Sequence, residues 1–351
     1  MSADRFTRRA LLAGMAGLPT LARAQGFAGL GQVASGYSEV TPGRAITPAD
    51  LGPHPGFRTE WWYVTANLKG PDGADYGAQW TLFRQALRPD GGGEGWADRH
   101  AWMGHAAITS ADAHRFAERL ARGGTGQAGA TADPFQAWID DWALGLTQQR
   151  PDDWLMAAAG PDFSVRVWLS PQGPLVRHGD DGYSVKSEAG QASHYFSQPF
   201  FAAEGALDFG GGEIPVRGRA WLDREWSSQP LAGDQEGWDW LSLHLADGAK
   251  LMGFRLRGAG APFLSGTWIA PDGTPHPLSG DQIVLTPSRE REVAGRRLPM
   301  RWRVQVPDRG VDVTLNPLNP QAWNGGSVPY WEGPVRAEDG AAEGYLELTG
   351  Y

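Results

Sequence analysis

The chain has 351 residues, 41% of them hydrophobic, with 31 basic against 40 acidic side chains, 17 tryptophans and no cysteine. The acidic balance disfavours nucleic acid, which selects basic surfaces, and the missing cysteines remove disulfides, thiolate metal sites and cysteine nucleophiles together. A chain this long exceeds what one core usually holds, so two domains are expected.

The first residues read as an export signal. Arg5, Arg8 and Arg9 precede an apolar stretch from Ala10 to Leu21, and Leu21-Ala22-Arg23-Ala24 supplies an A-x-A cleavage site. The pair in Phe6-Thr7-Arg8-Arg9-Ala10-Leu11-Leu12 marks a twin-arginine address. The apolar stretch is too short for a spanning helix, which needs about 20 residues, and no later run is long enough. A signal over residues 1–24, cleaved near Ala24-Gln25, predicts a periplasmic or secreted protein with 27 basic against 39 acidic residues, exported by the twin-arginine machinery.

Beyond the signal, turn chemistry separates short strands. Glu60 to Leu68 and Gly77 to Ala86 flank Pro71-Asp72-Gly73 and are rich in Trp, Tyr, Val, Phe and Leu with partial alternation. Ala111 to Ala121 holds Ala, Glu, Arg and Leu behind Asp112, which predicts a short helix or an extended loop. Arg122 to Asp133, rich in Gly, Ala and Thr, predicts a flexible surface loop. Strand patterns resume at Phe163 to Leu169, Leu241 to Leu245, Lys250 to Leu256 and Arg301 to Val306, and the charged run Ser288 to Arg297 is expected between strands. Ser227 to Glu236 interrupts two tryptophan-rich strands and is the expected boundary. The pattern predicts an all-β protein of two barrel or sandwich units side by side, at 25–228 and 229–351.

Several chemistries lose their signatures. No serine sits in a G-x-S-x-G elbow, no glycine-rich phosphate loop is present, and the eight histidines form no H-E-x-x-H or i, i+4 pair. His178-Gly179-Asp180-Asp181-Gly182 lacks the carboxylates of a calcium loop and reads as a solvated turn. No cofactor and no metal is expected.

What remains is acid beside aromatic: Glu60-Trp61-Trp62-Tyr63, Trp221-Leu222-Asp223-Arg224-Glu225-Trp226 and Trp238-Asp239-Trp240. Residues two apart on a strand share a face, so Trp221, Asp223 and Glu225 point one way and Leu222, Arg224 and Trp226 the other. A carboxyl among rings in an apolar cavity keeps its proton at neutral pH and serves as a general acid. The competing reading is a structural network in which Asp223 or Glu225 pairs with an arginine.

These clusters, with Gly104-His105-Ala106-Ala107-Ile108-Thr109, Ala192-Ser193-His194-Tyr195-Phe196-Ser197, Tyr330-Trp331-Glu332-Gly333 and Gly344-Tyr345-Leu346-Glu347-Leu348-Thr349-Gly350-Tyr351, resemble the carotenoid 1,2-hydratase (hydroxyneurosporene synthase) superfamily, especially its exported AttH-like branch. The resemblance implies two consecutive lipocalin-like β-barrel domains with a ligand cavity near their contact. It implies cofactor-independent addition of water to a terminal double bond of an acyclic carotenoid, with Asp223 of Trp221-Leu222-Asp223 as proton donor and His194 of His194-Tyr195-Phe196 orienting the water. The family has tyrosine where this chain has Trp221 and tryptophan where it has Phe196. Trp221 and Phe196 would stabilise the carbocation, and Tyr195, Glu225, Trp226, Trp238, Trp240, Trp61 and Tyr63 would line the ligand site. Two rival functions stand beside this one: a non-catalytic binder of an apolar or lipid-like ligand, and a secreted hydrolase.

Overall fold

The computed structural model describes residues 35–90, 93–229 and 231–351, so the twin-arginine segment and its cleavage site lie outside the described residues. Among those described there is no α-helix, only three short 3-10 turns, and no helix long and apolar enough to cross a membrane.

Two antiparallel sheets account for the chain. The first contains β1 (Thr59–Lys69), β2 (Asp75–Ala86), β3 (His100–Thr109), β4 (His114–Arg122), β5 (Ala128–Ala132), β6 (Phe135–Ile139), β7 (Trp142–Leu146), β8 (Trp154–Gly160), β9 (Phe163–Pro171), β10 (Val176–Arg177), β11 (Tyr183–Val185), β12 (Ala192–Asp208) and β13 (Glu213–Ser227). The second contains β14 (Gln235–Leu245), β15 (Lys250–Gly258), β16 (Phe263–Ile269), β17 (Pro275–Leu278), β18 (Val284–Val293), β19 (Arg296–Val306), β20 (Val311–Pro317), β21 (Trp323–Asn324), β22 (Tyr330–Ala337) and β23 (Ala342–Leu348). Each sheet pairs its first long strand with its last, β1 with β13 and β14 with β23, so the middle of each sheet joins distant stretches of chain. Both sheets curl into near-barrels lying side by side, a lipocalin-like arrangement, and in the first β2, β3 and β4 fold over to pack against β6 and β8.

The strands form because alternate side chains meet a core. In β9, Phe163, Val165, Val167 and Leu169 are buried while Arg166 is exposed. The first near-barrel is filled around Trp62, Trp80, Phe196, Leu222 and Trp226, and the second around Leu243, Leu298, Trp302, Val304 and Trp331. A third cluster, with Tyr63, Tyr195, Trp221, Trp240, Phe254 and Tyr345, lies where the sheets face each other. Burying its apolar surface, at about 25 cal/mol per Å², holds the two together.

Three local expectations are corrected. Within Ala111 to Ala121 the chain is strand from His114 onward, with β4 pairing residue by residue to β3. Its inward face is Ala117 and Ala121, packed against the first core, so small residues supply the apolar side and helix propensity yields to tertiary pairing. The loop expected at Arg122 to Asp133 contains β5, which pairs with β6. The charged run Ser288 to Arg297 forms the end of β18 and its hairpin to β19, turning at Ala294 and Gly295 with φ of 49° and 75°. β18 is an edge strand, and a charged surface there blocks edge-to-edge association.

A candidate active site between the two sheets

Register builds the site. Across the first sheet, Ser197, Asp223, Tyr63, Thr81, His105 and Glu118 stand opposite one another on β12, β13, β1, β2, β3 and β4, forming one polar row on the face turned toward the second sheet. The next row on that face is Tyr195, Glu225, Trp61, Phe83, Met103 and Leu120. From the second sheet, the paired residues Phe254, Trp240, Glu347 and Glu332 cover them. Between lies a cavity of about 150 Å³, lined by Trp61, Tyr63, Phe83, Trp238, Trp240 and Phe254 together with Asp223, Glu225 and Glu347. The hydroxyls of Thr59 and Thr81, also in its wall, are buried without a partner among the described residues.

Asp223 is 3% exposed. Its Oδ2 accepts the Tyr195 hydroxyl at 2.6 Å, and its Oδ1 accepts Trp221 Nε1 at 2.6 Å and bonds the Ser197 hydroxyl. Behind Ser197, His178 Nε2 lies 2.6 Å from its oxygen, and His178 Nδ1 lies 2.9 Å from Thr267 Oγ1 on the second sheet. Among the described residues no cation bonds Asp223. Burial pushes its carboxyl up to about 7 against the three donors, and the neighbouring Glu225 adds to the rise. Burial drives His178 the other way, well below the usual imidazole range, with Lys186 contributing, so that histidine is neutral. A neutral His178 takes a proton on one nitrogen only, so Ser197 either donates to it and accepts from a protonated Asp223, or accepts from it and donates to the carboxylate. The chain of bonds serves both states of the acid.

The second sheet contributes acids of the same kind. Glu347 Oε1 accepts Trp238 Nε1 at 2.6 Å, and burial, with Asp223 and Glu225 nearby, pushes Glu347 up to about 7. Glu332 is bonded by the Tyr63 hydroxyl and is raised well above the usual carboxylate range by burial and by Glu347. Glu225 instead has a cation, Lys186 Nζ at 3.0 Å, and the Ser193 hydroxyl. Among the described residues no group of three or more His, Asp or Glu is placed to hold a metal ion.

The predicted site residues divide by face. Trp61, Tyr63, Asp223, Glu225, Trp238 and Trp240 line the cavity; Tyr195 and Trp221 stand behind Asp223 as donors. His194, Phe196 and Trp226 lie on the opposite face, in the interior of the first near-barrel. His194 pairs with Trp226 across the ladder, its ring 5.4 Å from that indole and 5.8 Å from Phe57. His194 and Phe196 therefore do not meet Asp223, which corrects the expectation that they share its site: ahead of the bulge at Gln198–Phe201 the odd-numbered residues of β12, Ser193, Tyr195 and Ser197, face the second sheet, and these two are even. Ser197, His178, Glu347 and Glu332 were not singled out. Ser197, Glu347 and Glu332 stand in the sequence blocks that resemble the family, but nothing local marks them as meeting Asp223, and the segment of His178 reads as a solvated turn.

Fold and site together define a lipocalin-like protein whose acid-lined cavity lies between two near-barrels. A family model described as AttH-like matches residues 39–351, and the chain belongs to that family. The crystal structure of an AttH protein from Nitrosomonas europaea is 32% identical, with a TM-score of 0.80 over 90% of this chain and 99% of that one. Kievitone hydratase from Nectria haematococca shares the fold at 14% identity and a TM-score of 0.65, covering 90% of this chain and 96% of its own. CghA, solved with Sch210972, shares it at 10% identity and a TM-score of 0.52, with the same coverages. No curated protein matches the sequence.

Proposed function

We propose that the protein adds water across a carbon–carbon double bond of an apolar polyene or isoprenoid by acid catalysis, with no cofactor and with Asp223 as proton donor. The observation that carries this reading is a carboxyl without a cation among the described residues, buried in the wall of an aromatic cavity and holding its proton near neutral pH. Asp223 O–H breaks as a C–H bond forms on the less substituted alkene carbon, leaving a tertiary carbocation. The ring faces of Trp61, Tyr63 and Trp240 stabilise that charge, water closes the C–O bond, and the excess proton leaves. That a protein of the same fold is a kievitone hydratase supports water addition.

One observation favours a second reading, a non-catalytic binder: three donors already close on Asp223, and Lys186 neutralises Glu225, as in a structural network. Incubating the protein with geraniol, farnesol or lycopene in ¹⁸O-labelled water decides between them. Labelled alcohol that disappears in a folded Asp223→Asn variant is the expected result. Stoichiometric retention of lycopene without hydration, equal in both proteins, establishes the binder and ends the catalytic reading.

The site's location in the cell is part of the proposal. Arg8-Arg9, the apolar stretch and the A-x-A site support twin-arginine export to the periplasm. A mature N-terminus other than Gln25 in the periplasmic fraction, or export that survives Arg8→Lys with Arg9→Lys, contradicts it.

A further inference from the structure

Hydration requires one proton delivered to carbon and one removed from water, and the cavity holds an acid on each wall. Asp223 rises from the first sheet with both oxygens engaged by donors. Glu347 descends from the second, and only its Oε1 is held, by Trp238 Nε1. Its Oε2 has no hydrogen-bond partner among the described residues, and the side chain is partly open, to the cavity whose wall it forms. The two walls are braced against each other. Trp240, paired with Glu347 across the ladder, donates from Nε1 to the Tyr195 oxygen at 3.2 Å, and Tyr195 in turn donates to Asp223.

The surroundings keep cations away from both. Lys186 is held by Glu225, while Arg255 and Arg257 pair with Asp239 on the other side of β14. The remaining titratable groups around Glu347 are Glu332, Tyr330, Tyr63 and His105, each hydrogen-bonded within the wall. A carboxyl with one fixed oxygen and one free oxygen facing the ligand is geometrically suited to take a proton from a bound water.

Resting on the hydration reading above, we propose that Glu347 is the general base that deprotonates the attacking water, so that the substrate's double bond lies between the sheets and the two elements of water arrive from opposite walls. The balance is complete: Asp223 loses its proton as the C–H bond forms, water loses its proton to Glu347 Oε2 as the C–O bond forms, and solvent returns a proton from Glu347 to Asp223. Addition from two walls is anti.

The test uses farnesol with one of its two terminal methyl groups ¹³C-labelled as probe in D₂O, so that syn and anti addition at the terminal double bond give different products, with wild type, Glu347→Gln, and Glu347→Ala with and without formate. The expected result is anti addition by the wild type, a loss of about 10²–10⁴-fold in kcat with KM little changed for Glu347→Gln, and partial recovery of Glu347→Ala by formate, which supplies the missing base. Formate recovery also guards against a variant that is merely misfolded. Wild-type hydration that is syn, or that persists in Glu347→Gln, overturns the role of Glu347 and leaves Asp223 as the acid. A wild type that hydrates none of geraniol, farnesol or lycopene overturns the hydration reading itself, and the role of Glu347 with it.

Discussion

The two faces of the β1–β13 pair hold carboxyl groups, Glu60 of β1 and Asp223 of β13, at almost the same depth and treat them in opposite ways. Toward the interior of the first near-barrel, Arg224 bonds the Glu60 carboxylate, which Arg84 also bonds and which accepts the His54 backbone N–H at 3.0 Å. Burial raises the pKa of Glu60, but Arg224 and Arg84 more than reverse that, so its carboxyl is held far below the usual range. Toward the cavity, one residue along the strand from Arg224, Asp223 has hydroxyl and indole donors but, among the described residues, no cation, and burial prevails. Depth is therefore not what fixes the charge of a buried acid here; the kind of partner is. Arginines make one face of the strand an ionic brace, and neutral donors make the other an acid that keeps its proton.

The largest effect should come from removing the carboxylate on the ionic side. Glu60→Gln leaves Arg84 and Arg224 buried with their charge uncompensated, at an expected cost of about 3–5 kcal/mol, read from urea unfolding. A loss below about 1 kcal/mol would mean that water already reaches the arginines, and the contrast between the faces would lose its basis.

Asp223→Asn is the complementary experiment. It keeps the shape and all three donors' neighbours while removing the transferable proton, so hydration should fall by about 10²–10⁴-fold in a protein that unfolds near the wild-type urea midpoint. The rate of the wild type should also peak near pH 7, falling above it as Asp223 ionises and below it as Glu347 takes up a proton.

The stability of the two proteins should diverge with pH. In the folded state Asp223 retains its proton up to about 7, whereas the unfolded chain releases it near 3.8. The folded state thus binds more protons between those values, and stability falls as pH rises through that window. Asp223→Asn lacks this loss, so it should gain on the wild type by roughly 2–4 kcal/mol between pH 4 and 8. Equal slopes for the two proteins would show that the Tyr195, Ser197 and Trp221 donors hold Asp223 ionised.

How much of this was legible in the chain depends on distance along it. The alternation that puts Asp223 and Glu225 on one face and Arg224 and Trp226 on the other is a local property of strands, and it can be read from six residues. The turn Pro71-Asp72-Gly73 is likewise local, and it does connect neighbouring strands. β4 escaped because its core face is built from alanines, which carry no hydrophobic period. What sits opposite Asp223 is a matter of register between strands far apart in sequence: Ser197 is placed there by β12, Tyr63 by β1, and Glu347 by the other sheet. No local pattern encodes such meetings, and the ring types quoted in the resemblance do not say which way a residue on β12 faces.

The smallest effect should come from His194, and it sets resemblance against geometry. The resemblance gives His194 the attacking water, while the structure puts it behind the sheet, 1% exposed, with neither ring nitrogen bonded among the described residues. Burial, aided by Arg44 and His54, lowers its pKa to about 4, so the ring is neutral. It behaves there as an aromatic filler between Phe57 and Trp226. A buried nitrogen without a partner costs about 1–3 kcal/mol, and phenylalanine keeps the ring while removing that cost, against a modest penalty for its extra volume. His194→Phe should therefore change stability by less than about 1 kcal/mol, in either direction, and leave the hydration rate within a factor of about two, since β12 stands between this ring and the cavity. A drop in kcat of tenfold or more in a stably folded variant would show that the water is held from the interior face, and the division of β12 and β13 into an ionic, structural side and a reactive side would have to be redrawn.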